Sequence, residues 1–162
     1  MYRKFCALAL LLVLFLTGCT EAATLDPREV RTEEALAENE WGVTLSADNV
    51  TPTGLTIVCE RDEGSEAEIS TTPVFKVYMR SDDVWVPYER TDGEFGYKAW
   101  EQVFYELAAD EPLLLEADWT WLHGELPAGK YLLMKRFFAQ ESQDNRKAPE
   151  IFFVFAEFEI EE

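Results

Sequence analysis

Residues 118–131, DWTWLHGELPAGKY, constrain this chain more than any other stretch. They close one apolar run, residues 113–119, and open another, residues 131–138. Between the two lie His123-Gly124 and Pro127-Ala128-Gly129, residues that favour turns and end regular structure. Gly129 permits a sharp backbone turn, and Tyr131 stands at the start of the next strand. A phenol there buries its ring while its hydroxyl reaches back to the turn backbone, the arrangement of a tyrosine corner. Leu126, Gly129 and Tyr131 therefore form the predicted corner, in which a chain leaves one sheet and enters another.

The rest of the chain fits that geometry. Trp41, Val43 and Leu45 alternate on one face, and Asp48-Asn49 together with residues 51–54 supply turn residues. Residues 55–60 beat apolar against polar, and residues 61–72 read as a polar loop ending at Pro73. Residues 75–80 and 84–88, joined by Ser81-Asp82-Asp83, read as a hairpin with Pro87 at a strand end, because proline cannot donate to a ladder. In residues 151–160, Phe152, Val154, Ala156, Phe158 and Ile160 make the larger apolar set and are expected to face the core. Residues 97–109 fit two templates: Trp100, Val103, Phe104 and Leu107 match helical spacing, whereas Val103, Tyr105 and Leu107 match a strand. About seven strands at hairpin spacing predict an all-β Greek-key sandwich.

The first nineteen residues carry a different signal. A short basic head with Arg3 and Lys4 precedes twelve apolar residues, 5–16, too few for a membrane span and right for a signal peptide. Leu16-Thr17-Gly18-Cys19 resembles the lipobox of bacterial lipoproteins. Small side chains admit the peptidase to the Gly18–Cys19 bond, and the Cys19 thiolate takes the lipid. The expectation is a signal peptide over residues 1–18, cleavage after Gly18 and acylation of Cys19 with palmitate-like chains. Two or three chains satisfy the need for more than one membrane anchor. That places the protein on the extracytoplasmic face of a bacterial cell membrane. Residues 19–40 are charged and poor in apolar side chains, and read as a flexible tether with a reach of roughly 25 Å. Residues 41–162 are the expected domain.

Charge narrows the partners. With 32 acidic and 14 basic residues the formal net charge is −18, and loss of Arg3 and Lys4 takes it near −20. Such a surface repels phosphate backbones and anionic headgroups, so nucleic acid is excluded as a partner. Once Cys6 leaves with the signal peptide and Cys19 is acylated, Cys59 stands alone and no internal disulfide can form. It reads as a buried, inert small hydrophobe. His123, the single histidine, sits in a turn without a catalytic companion. No HxxEH, CxxC or GxSxG motif follows Cys19. The reading is therefore a non-enzyme without cofactor or metal.

Residues 119–131, Lys135 and the closing AEFEI of residues 156–160 resemble a bacterial immunoglobulin-like domain, a family found largely in small secreted or lipid-anchored proteins of Firmicutes. Residues 53–57 and the Trp85 hairpin extend the resemblance over roughly residues 43–160. It departs at Cys59-Glu60-Arg61, where the family commonly has an asparagine. The resemblance implies an Ig-like β-sandwich, a strand at Tyr105-Glu106-Leu107 and no catalytic residues. The functional expectation is a lipid-anchored module that binds an envelope protein, the alternatives being cell-wall carbohydrate or a cation and, least supported, an enzyme of unknown type. Trp85, Trp119 and Trp121, together with Trp100, are candidates for its binding surface, with core packing as the competing role. The acidic loops at Asp62-Glu63 and Asp110-Glu111 lack EF-hand spacing.

Overall fold

The computed structural model describes residues 29–35, 37–64, 66–88, 103–140 and 147–162. Among these, nine strands and two one-turn helices are formed: β1 (Val30–Arg31), α1 (Thr32–Ala35), β2 (Val43–Thr51), β3 (Gly54–Arg61), β4 (Glu68–Ser81), β5 (Val84–Pro87), β6 (Tyr105–Glu106), β7 (Leu113–Asp118), α2 (Thr120–His123), β8 (Gly129–Gln140) and β9 (Glu150–Ile160). All pairings are antiparallel. One sheet has the order β1-β5-β4-β8-β9, with β6 also on β4, and the other β2-β3-β7. The chain crosses between sheets after β1, after β3, before β7 and after β7. That is the Greek-key path of an all-β, Ig-like sandwich.

Period-two alternation decides what fills the space between the sheets. On β8, Tyr131, Leu133, Phe137 and Ala139 point inward, and on β9 Val154, Phe158 and Ile160 meet them. From the small sheet come Val43, Leu55, Ile57, Cys59 and Ala117. Phe152 packs against this core and Ala156 is buried, as the alternation of β9 requires. The opposite phase of the same strands builds a second cluster on the outer face of the large sheet. Val30, Ala35, Tyr78, Trp85, Leu132 and Met134 are buried there, with Phe153 and Phe155 against them.

The corner forms as its residues dictate. Tyr131 is buried, and its hydroxyl donates to the Pro127 carbonyl at 2.8 Å. Gly129 has φ +156°, in the range that side chains disfavour. The β2–β3 turn is pinned to the corner by three hydrogen bonds. Trp119 N donates to Thr53 O at 3.1 Å, Trp119 Nε1 to Pro52 O at 2.8 Å, and Leu126 N to Pro52 O at 2.8 Å. This closure explains why residues 118–131 organise the molecule.

Several local expectations are corrected. Of the residues expected to turn, 51–54 do so, the chain reversing at Pro52-Thr53, whereas Asp48-Asn49 is a bulge within β2, with Asn49 at φ 50°. Asparagine tolerates that left-handed conformation. The loop expected up to Thr72 ends earlier, because β4 begins at Glu68 and runs through Pro73. Pairing with β8 breaks between Thr71 and Phe75, so proline falls where no ladder donor is needed. β7 stops at Asp118 and α2 follows, so Trp119 and Trp121 do not share a strand face. Asp118 Oδ1 accepts from Thr120 N at 2.8 Å as the chain turns into α2, and Gly124 at φ 68° ends it. The described part of residues 97–109 is strand and coil: Tyr105 and Glu106 pair with Thr71 and Ser70. Residues 97–102 lie outside the described residues.

Part of the stretch expected to be a tether, residues 19–40, is packed on the large sheet. Val30 pairs with Trp85 and Arg31 with Val84, and Val30 and Ala35 are buried on the outer face. Burial of those two side chains ties down a segment whose overall polarity reads as free chain.

Candidate functional site

The groups with chemical potential converge in the core. Inward alternation on β8 carries past Leu133 to Lys135, which is 0% exposed. Its Nζ donates to the carbonyl of Thr72, in the interrupted stretch of β4. Thr71 Oγ1 donates to Arg136 O at 2.7 Å, so two side-chain bonds span the gap that Pro73 leaves in the ladder. Burial lowers the Lys135 pKa to about 8, an effect partly offset by Cys59 on β3. Burial likewise pushes the Cys59 thiol up to about 11, with Lys135 pulling it back. At neutral pH the amine is therefore charged and the thiol protonated, the unreactive form of each. Cys59 is also 0% exposed. This pair shapes the core and offers no open nucleophile.

His123 ends α2 and packs edge-on against Tyr88 at 5.4 Å. Burial lowers its pKa, and Nδ1 has no hydrogen-bond partner among the described residues. Its role is packing beside the corner, where Tyr88 also meets Tyr131 at 6.1 Å. Among the described residues no three His, Cys, Asp or Glu side chains cluster to hold a metal.

Two of the candidate tryptophans take the competing role, core packing. Trp85 is 1% exposed, buried in the outer-face cluster with Val30 and Ala35. Trp119 is 0% exposed, stacked on Phe158 at 5.6 Å and edge-on to Phe75 at 6.5 Å. Trp121 is half-buried on α2. Trp100, Gly18 and Cys19 lie outside the described residues.

The open aromatic surface lies elsewhere. Among the described residues, the outer face of the large sheet is covered at the β1 end and open at the other. There Glu68, Ser70, Phe104, Glu106, Phe138 and Gln140 line a groove of about 510 Å³. Phe104 is 61% exposed and meets Phe138 edge-on at 5.4 Å. The Arg136 guanidinium lies over Phe138 at 5.3 Å. The strand reading of residues 103–107 contained the signal for this groove. It puts Leu107 inward and Phe104 on the face shared with Glu106, an apolar ring among polar neighbours.

A family model described as a bacterial Ig-like domain matches residues 38–151. Neither curated proteins nor solved structures give a significant match.

Proposed function

The chain belongs to the bacterial Ig-like domain family, and we propose that it is a lipid-anchored envelope protein that presents this domain as a non-catalytic binding module. Membership in the family suggests an interaction module without chemistry of its own. The observation that carries the binding reading is the contrast within one sheet: its amine and its neighbouring thiol are sealed inside, while half of its outer face stays open around Phe104. The anchor rests on the order of basic head, apolar stretch and Leu16-Thr17-Gly18-Cys19. Because Val30 is already packed on the sheet, about ten residues at most separate the domain from Cys19. The module thus works close to the outer surface of the membrane and selects partners there.

The test is a crosslinked pull-down of the acylated protein from intact envelopes, beside a soluble form lacking the signal peptide and Cys19. Recovery of one near-stoichiometric envelope protein by both forms supports the reading, and recovery of abundant lipoproteins alone removes it. Exposed rings also suit sugar stacking, and co-sedimentation with cell-wall sacculi would assign the domain to carbohydrate instead.

A further inference from the structure

We infer that the open half of the large sheet's outer face is a docking groove for a basic segment of a protein partner, with Phe104 as its contact ring and Glu68 and Glu106 as its counter-charges. The inference rests on the binding-module reading and names the surface and partner chemistry within it.

Strand register assembles the groove. Glu68 stands opposite Gln140 and Ser70 opposite Phe138 across β4 and β8, and Glu106 stands opposite Ser70 across β6 and β4. Their neighbours Ile69, Phe137 and Ala139 point into the core. The outward set is therefore fixed by the same alternation that builds the sandwich, and a one-residue slip would bury the carboxylates. The other half of this face is closed by Val30 and Ala35. The open half ends in a ring that is 61% exposed.

Charge selects the occupant. Among the described residues the groove lining holds two carboxylates, and the Arg136 guanidinium beside it lies over Phe138 while Phe104 stays exposed, in a chain of net charge −18. A carboxylate pair beside an aromatic face suits a guanidinium or ammonium, which gains both Coulomb attraction and ring contact. The molecule already displays that contact, with Arg136 over Phe138 at 5.3 Å. The acidic surface would steer a basic partner toward the groove and turn away anionic lipid and nucleic acid.

The test uses the full acylated protein in zwitterionic nanodiscs and a fluorescent Arg-Gly repeat peptide as probe, read by anisotropy. Phe104→Ala leaves every charge in place and should weaken binding by about fivefold, the scale of one exposed cation–π contact. The double variant Glu68→Gln/Glu106→Gln should weaken it by about tenfold or more. Glu157→Gln/Glu159→Gln removes the same charge at the far end of β8–β9 and should stay within about twofold, as screened remote charges do. Equal losses for the two double variants, with Phe104→Ala unchanged, would reduce the effect to general polyanion attraction and overturn the groove. Displacement of the peptide by soluble cell-wall fragments would reassign the groove to sugar and also overturn it. If Phe104→Ala still recovers the envelope protein that the wild type recovers, the groove is wrong and the module reading stands; if neither recovers one, the module reading itself fails.

Discussion

Replacing Lys135 with methionine should convert a pH-dependent stability into one lacking its alkaline rise. Lowering the Lys135 pKa from 10.5 to about 8 means that, relative to the unfolded chain, the buried ammonium is disfavoured by about 3 kcal/mol against its neutral amine. The sign follows from proton counting. Above about pH 8 the folded protein releases this proton while the unfolded chain keeps it up to about pH 10.5, so the unfolded state binds more protons and stability climbs with pH. Methionine fills the lysine stem's space without a charge and abolishes that climb. It also leaves the Thr72 carbonyl without its donor, a cost of about 1–3 kcal/mol at every pH. Near pH 7 the two effects oppose each other, and Lys135→Met should differ little from wild type. By about pH 10 only the orphaned carbonyl remains, and the variant should be the less stable by about 1–3 kcal/mol. Cys59, raised from 9.0 to about 11, contributes stability that is lost as pH rises from about 9; because Lys135 pulls this thiol down, the loss is larger in the methionine variant and widens the alkaline difference in the same direction. Urea unfolding followed by tryptophan fluorescence across this range measures the quantity directly. Parallel pH profiles for the two proteins would refute the buried, charged amine.

The corner and the close sheet contacts give further expectations. Tyr131→Phe removes the hydroxyl that donates to Pro127 O and should cost about 1–2 kcal/mol in denaturant unfolding; an unchanged midpoint would remove the corner's energetic role. Gly54→Ala places a Cβ 2.5 Å from the Ala117 carbonyl, against backbone that cannot swing aside. It should destabilise the β3–β7 pairing by about 1–3 kcal/mol, and faster amide exchange along β7 would locate the damage.

How much the sequence discloses varies with the physics of each element. The corner was legible because a turn proline, a glycine and a strand-opening tyrosine each have one conformational use, and together they have only one geometry. β9 was legible because five alternating apolar residues leave little choice of face, although the opposite phase proved to be partly buried too, Phe153 and Phe155 packing against the outer cluster. Lys135 was half-legible: its phase with Leu133 and Phe137 points inward, but a lysine there signals a surface unless the carbonyl waiting at Thr72 is known. The passage of β4 through Pro73 was hidden, since a proline argues against a strand and the bulge that accommodates it is a property of pairing with β8. The N-terminal strap was hidden for a related reason. Val30 and Ala35 make no periodic stripe, and only the β5 edge and the outward-facing side chains of Tyr78 and Trp85 give them something to cover. Among the functional candidates, tryptophan count misled: Trp85 and Trp119 are large enough to be needed inside. The open ring is Phe104, in the stretch whose period was ambiguous.

The central claim, that this Ig-like domain is held at the membrane by lipid on Cys19, is tested most directly by the intact mass of the protein extracted from bacterial membranes. The account predicts a chain that begins at Cys19 and carries the mass of two or three acyl chains, with a Cys19→Ser variant bearing none. An unacylated chain, or one cleaved at a different residue, would contradict it.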